Sequence, residues 1–225
     1  MTKLLSHWQT SVGRKQIVAL TGLLLIGYLI IHLAGNMFIF LGPAAFNHYA
    51  EKMASLRPGL YIVEAFLLYV FIVHIWITAA LVWQNYKSRS IPYRVYEPSG
   101  ERSWATRLMP YTGTLLLIFV IWHLMDFTFI DKHGPRSILS DGQSYGLYGV
   151  VYNSFASPLN SGFYILAMMA VGFHLSHGVQ SLIQTFGFNH PRYTPLIKRI
   201  SNYFAIFIAF GFSSIPIYVL VQSMK

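Results

Sequence analysis

Five apolar runs, near residues 16–41, 60–86, 109–130, 161–187 and 200–222, dominate this 225-residue chain. Each is about as long as the roughly 20 residues that a helix needs to cross a bilayer. That length leaves room for little except a bundle of transmembrane helices. Charge agrees: 10% of residues are charged, whereas about a quarter are in ordinary soluble domains, and the mean hydropathy is +0.49. The predicted fold class is therefore all-α, a single-domain integral membrane bundle over 1–225. The first run exceeds the apolar core of a signal peptide and lacks a small-residue cleavage pattern, so it is expected to remain as a membrane helix.

Between the runs lie polar, punctuated stretches: Gly42-Pro43 and Arg57-Pro58-Gly59, then Ile91-Pro92 and Glu97-Pro98-Ser99-Gly100, then Gly134-Pro135, Asp141-Gly142 and Ser157-Pro158, and last His190-Pro191 and Pro195. The net charge of +9 is spread between apolar runs rather than clustered on one face, which argues against nucleic acid as a partner. Topology accounts for it instead. One side collects Lys3, Arg14, Lys15, Lys87, Arg89, Arg94, Arg102, Arg107, Arg192, Lys198 and Arg199, and the other Lys52, Arg57, Lys132, Arg136 and Lys225. Positive residues favour the cytoplasm, so the N-terminus is predicted to be cytoplasmic.

Within this frame one segment is nearly written twice. Seven of thirteen positions agree between Thr21-Gly22 through His32-Leu33 and Thr112-Gly113 through His123-Leu124. Each copy sets a histidine about 15 Å of helix rise beyond its Thr-Gly pair. An ionisable imidazole inside an apolar run is expensive unless something engages it. Runs one and three cross the membrane in the same direction, so His32 and His123 are predicted to share a depth toward the outer face. Runs two and four return, with His74 fourteen residues after Leu60 and His174 thirteen after Ser161. These two are predicted to share a second depth.

Cysteine is absent, which excludes thiolate and iron–sulfur ligation by this chain. Imidazole suits iron, and a haem lying edge-on in a bundle needs one axial ligand from each side. Two depth-matched pairs thus suggest two bis-histidine b haems, His32 with His123 and His74 with His174. Gly22, Gly27, Gly35, Gly113, Gly172 and Gly178 are candidates for close approach of the macrocycle. The plainer alternative is interhelical hydrogen bonding by each histidine.

The segments Phe46-Asn47-His48-Tyr49-Ala50, Arg107 with Thr112-Gly113, Phe119-Val120-Ile121-Trp122-His123, and Phe173-His174-Leu175-Ser176-His177-Gly178 resemble the di-haem, five-helix cytochrome b subunit of succinate dehydrogenases and fumarate reductases. The resemblance covers almost the whole chain. It implies that His32 and His123 hold the haem distal to the catalytic subunits and that His74 and His174 hold the proximal one. It also implies a flavoprotein and an iron–sulfur subunit on the cytoplasmic side, electron exchange with menaquinone, and a place in the bacterial cytoplasmic membrane, and it leaves open a dimer of the whole complex. The family pattern sets a glycine four residues after the fourth-helix ligand, which favours His174 over His177. His177 is then expected to serve a propionate or to support a ligand. Some members carry a proton-returning glutamate two residues before that ligand, where this chain has Gly172.

Acids at membrane depth often mark proton transfer, and quinone reduction takes up two protons with its two electrons. Asp126, one turn outward of His123, and Glu64, at the outer start of the second run, are the candidates for an outer quinone site, with His48 or Glu51 nearby. A competing inner site would use Ser11, Arg14 and Trp104. Arg14 and Lys15 also read as positive-inside anchors or propionate partners. His7, His133 and His190 are expected to be solvated, Trp8, Trp83 and Trp104 to sit in interfacial belts, and Pro216 to kink the fifth helix. Two alternatives remain: a cytochrome b anchor for a hydrogenase or formate dehydrogenase, and a haem-free transporter or scaffold whose histidines serve packing or proton relay.

Overall fold

The computed structural model describes residues 10–88 and 104–225. Lys3, His7, Trp8, Arg89, Arg94 and Arg102 lie outside the described residues. Those described form an all-α bundle with five helices long and apolar enough to cross a membrane. In chain order they are α1 (Ser11–Asn36), continued by a 3-10 turn over Met37–Leu41, then α3 (Gly59–Lys87), α4 (Trp104–Phe127), α6 (Pro158–Thr185) and α7 (Thr194–Ser223). Two shorter helices join them at one end, α2 (Pro43–Ser55) and α5 (Gly146–Ala156).

The helices begin one to six residues before the apolar runs do. Thr10 closes the start of α1 by accepting from the Gly13 N–H at 3.1 Å, a side-chain cap of the usual kind. Pro158 and Pro195 fall in the first turns of α6 and α7. A proline's missing N–H costs nothing there, so these prolines start helices that the sequence reading had placed later. Pro216 sits inside α7, fully buried.

Helix α6 is the hub. It packs along α7 most extensively, then along α4 and α1, and it carries Tyr164, Ala167, Met168, Ala170, Val171 and Leu175 into the core. By contrast α3 rests chiefly on α1 and buries Val70 alone. In a soluble protein its apolar surface would be a liability, whereas lipid solvates it.

Helices α2 and α5 form a cap across one end of the bundle. Helix α5 lacks a side-chain cap of its own, and Asn47 of α2 supplies one from outside. Its Oδ1 accepts from the Tyr148 N–H at 3.0 Å while its Nδ2 donates to the Tyr145 carbonyl at 2.8 Å. Gly149 lies so close to the Ser137 carbonyl that a β-carbon would overlap it. Asn153 ties the same loop down by donating to the carbonyls of Arg136 and Ile138 at 2.9 and 2.8 Å. Outside the membrane-spanning helices, the Tyr145 hydroxyl donates to Asp141 at 2.6 Å and the Gln143 N–H at 3.0 Å. These donors hold the Asp141 carboxyl below its ordinary pKa and push the Tyr145 phenol up.

Candidate functional site

The histidines of α1 and α4 meet. The His32 and His123 rings stand edge to face with centroids 5.8 Å apart and planes at 90°. Imidazole nitrogens bind a first-row metal such as zinc at about 2 Å, so two rings on opposite sides of one ion have centroids roughly 6 Å apart. The observed centroid separation is of that size. Aromatic side chains enclose the pair: Tyr28 stacks on His32 at 5.3 Å, and Phe119, Phe127 and Tyr164 surround His123 at 5.4–6.0 Å.

The histidines of α3 and α6 also lie within electrostatic reach of each other, and each is tied to one Thr-Gly pair of the repeat. Thr21 Oγ1 lies 3.0 Å from His74 Nδ1, and Thr112 Oγ1 lies 3.2 Å from His174 Nδ1. The neighbouring glycines lie beside the rings: a β-carbon on Gly22 would be in ordinary contact with His74 Cε1 at 3.5 Å, and one on Gly113 with His174 Cε1 at 3.6 Å. His177, one turn further along α6, has its own threonine, with Thr106 Oγ1 3.0 Å from its Nδ1.

The remaining glycines divide. A β-carbon on Gly35 would strike the Tyr49 ring, and one on Gly172 would meet Ala209 at 3.3 Å. These two serve packing of the protein on itself, which corrects their reading as haem-facing positions. Gly27 and Gly178 have nothing within 4 Å of such an atom. The donor set and the centroid spacing fit haem.

Asp126 is the most heavily engaged side chain near the first pair. One oxygen accepts from Arg136 at 2.7 Å, and the other from Ser154 at 2.8 Å, Asn160 at 3.1 Å and the Tyr164 hydroxyl at 3.2 Å. Tyr164 also stands 3.5 Å from His123 Nδ1, which links the acid to the histidine through one phenol. None of these partners was foreseen, although Asn160, a polar residue at the start of an apolar run, was a visible signal. Glu64 instead pairs with Arg57 at 3.0 Å and is 49% exposed. It lies within electrostatic reach of Tyr28, and so at the end of the bundle where His32 is found. His48 and Glu51 are exposed on α2. At the other end Arg14 donates to Gln84 of α3 at 3.2 Å, while Ser11 and Trp104 are exposed. His133 and His190 are exposed too.

Fold and site together define a five-helix transmembrane bundle with paired histidines at two levels. Residues 84–213, more than half of the chain, match the family described as succinate dehydrogenase/fumarate reductase transmembrane subunit, and the chain belongs to that family. It is also 29% identical over 195 residues to the succinate dehydrogenase cytochrome b558 subunit of Bacillus subtilis (strain 168), covering 86% of this chain and 88% of that protein. No solved structure matches the chain.

Proposed function

We propose that this chain, as one domain over 1–225 with its N-terminus in the cytoplasm, is the cytochrome b anchor of a succinate:menaquinone oxidoreductase. It holds two b haems, one between His32 and His123 and one between His74 and His174. The observation that carries this reading is the meeting of His32 with His123 at a ring spacing fit for one metal, beside a second histidine pair held by the repeat's threonines. The family's description and the name of the Bacillus relative support it.

Bound there, haem supplies one-electron carriers at two depths, so that electrons can pass between a flavoprotein and iron–sulfur pair on the cytoplasmic side and quinone in the membrane. The chain's own residues do the rest. Four imidazoles bind, and the aromatic shell of Tyr28, Phe119, Phe127 and Tyr164 keeps water from the first pair. His177 is left to support the second site rather than ligate. Reduction of one quinone takes up two electrons and two protons, and the proton-transferring acid we assign is Asp126, with Glu64 second. Asp126 accepts four hydrogen bonds, so passing a proton requires one donor to turn away. Arg136, 41% exposed, is the one with solvent to turn to.

The test is haem counting on the purified complex. Two b haems per chain, with one lost in His174→Leu, support the assignment. No haem refutes it, and loss of a haem in His177→Leu with both retained in His174→Leu moves the ligand to His177.

A further inference from the structure

The repeat that opens α1 and α4 serves both histidine levels at once. Its histidine joins the pair His32 with His123, while its Thr-Gly pair receives a histidine from a neighbouring helix, α3 in one copy and α6 in the other. The geometry is alike twice over, and it has a chemical consequence that spacing alone does not.

A threonine hydroxyl has a single hydrogen. Thr21 Oγ1 lies 2.8 Å from the Ile17 carbonyl and 3.1 Å from that of Val18. Thr112 Oγ1 lies 3.0 Å from the Leu108 carbonyl and 3.2 Å from that of Met109. Carbonyls only accept, so with each hydroxyl hydrogen given to its own helix the oxygen accepts from the imidazole, and the Val18 carbonyl is a second acceptor for His74. The proton of the neutral ring must then sit on Nδ1, and the lone pair on Nε2. Both threonines are 7% exposed, so water does not offer a competing partner.

We propose that Thr21 and Thr112 are positioning residues that hold His74 and His174 in the Nδ1–H tautomer and present Nε2 to iron. This rests on the two-haem reading. A partner on the far nitrogen also makes an imidazole a stronger donor, which favours ferric over ferrous iron. The first pair is contacted otherwise, by Tyr164, whose hydroxyl stands 3.5 Å from His123 Nδ1. The effect of the threonines is therefore confined to one haem.

The experiment is a redox titration with low-temperature electron paramagnetic resonance on the intact complex carrying Thr21→Val, Thr112→Val or both, with Thr21→Ser and Thr112→Ser as rescues. The haem to watch is the one whose signal disappears in His74→Leu. In the valine variants its midpoint potential rises, by about 59 mV for a tenfold loss of ferric preference. Its low-spin signal moves, the other haem stays put, and serine restores the original values. Thr106→Val, which takes the same contact from His177, leaves both signals in place. Two haems with unmoved signals in the valine variants, failure of serine to restore, or an equal shift in Thr106→Val overturns the proposal. Absence of haem from the unmodified complex overturns the two-haem reading beneath it.

Discussion

Asp126→Asn keeps the shape of the side chain and removes its charge, which makes it the sharpest probe of the end of the bundle where His32 meets His123. The carboxylate is 10% exposed and accepts from Arg136, Ser154, Asn160 and Tyr164. A hydrogen bond to a charged group contributes about 1.5–3 kcal/mol. An amide keeps one oxygen for at most two of the three interior donors and turns an NH2 toward the rest. The Arg136 contact is discounted to about 1 kcal/mol because the guanidinium is half in solvent. The sum is a loss of about 2–4 kcal/mol, against about 1 kcal/mol for Arg136→Gln, which leaves the three interior donors in place. At about 2–4 °C per kcal/mol for a chain of this size, Asp126→Asn lowers the thermal midpoint in detergent by about 4–15 °C and Arg136→Gln by a few degrees. Near-ultraviolet circular dichroism should report the change around Tyr164, whose hydroxyl loses its carboxylate acceptor. Equal destabilisation by the two variants would show that the arginine pair, rather than the interior donors, holds the acid, and would refute this apportioning.

Gly149→Ala forces a methyl into the Ser137 carbonyl and should cost about 1–3 kcal/mol or more of stability, read as increased hydrogen exchange across 135–156. Gly27→Ala and Gly178→Ala meet nothing in the protein, so each should hold or raise helix stability by up to about 1 kcal/mol. If haem lies against them, haem content falls nonetheless, and unchanged haem content would place it elsewhere. Asp141 has a depressed folded pKa, so its contribution is complete above the ordinary carboxylate value of about 4 and fades as the pH falls through the lower folded value. Hydrogen exchange at Gln143 should rise over that range in the native protein and be flat in Asp141→Asn.

The transmembrane helices were legible because lipid imposes one rule, length and apolarity, on every span. Their ends were less so, since Pro158 and Pro195 carry the same sequence signal whether a helix starts or a loop runs on. Helices α2 and α5 were not anticipated. At 13 and 11 residues they are short, and α5 owes its first turn to Asn47, nearly a hundred residues away. The histidine offsets foretold which rings would share a level, because rise per residue is fixed. They could not foretell that each Thr-Gly pair faces the histidine of another helix, a fact of lateral packing. Likewise Asp126 stood out as an acid at depth, but its donors come from α5, α6 and the loop that carries Arg136, which only the folded cap brings together.

The two histidine levels consequently depend on different parts of the molecule. His74 and His174 are held by hydroxyls whose hydrogens are spent on their own helix backbones, so that support exists as soon as α1 meets α3 and α4 meets α6. His123 is held through Tyr164 by an acid whose remaining partners are Ser154 on α5, Asn160 on α6 and Arg136 in the intervening loop, so its support waits for the cap to close. Membrane helices can associate before their connecting loops settle, and the level of His74 and His174 then forms first. The level of His32 and His123 is the one secured by contacts that only the closed cap brings together.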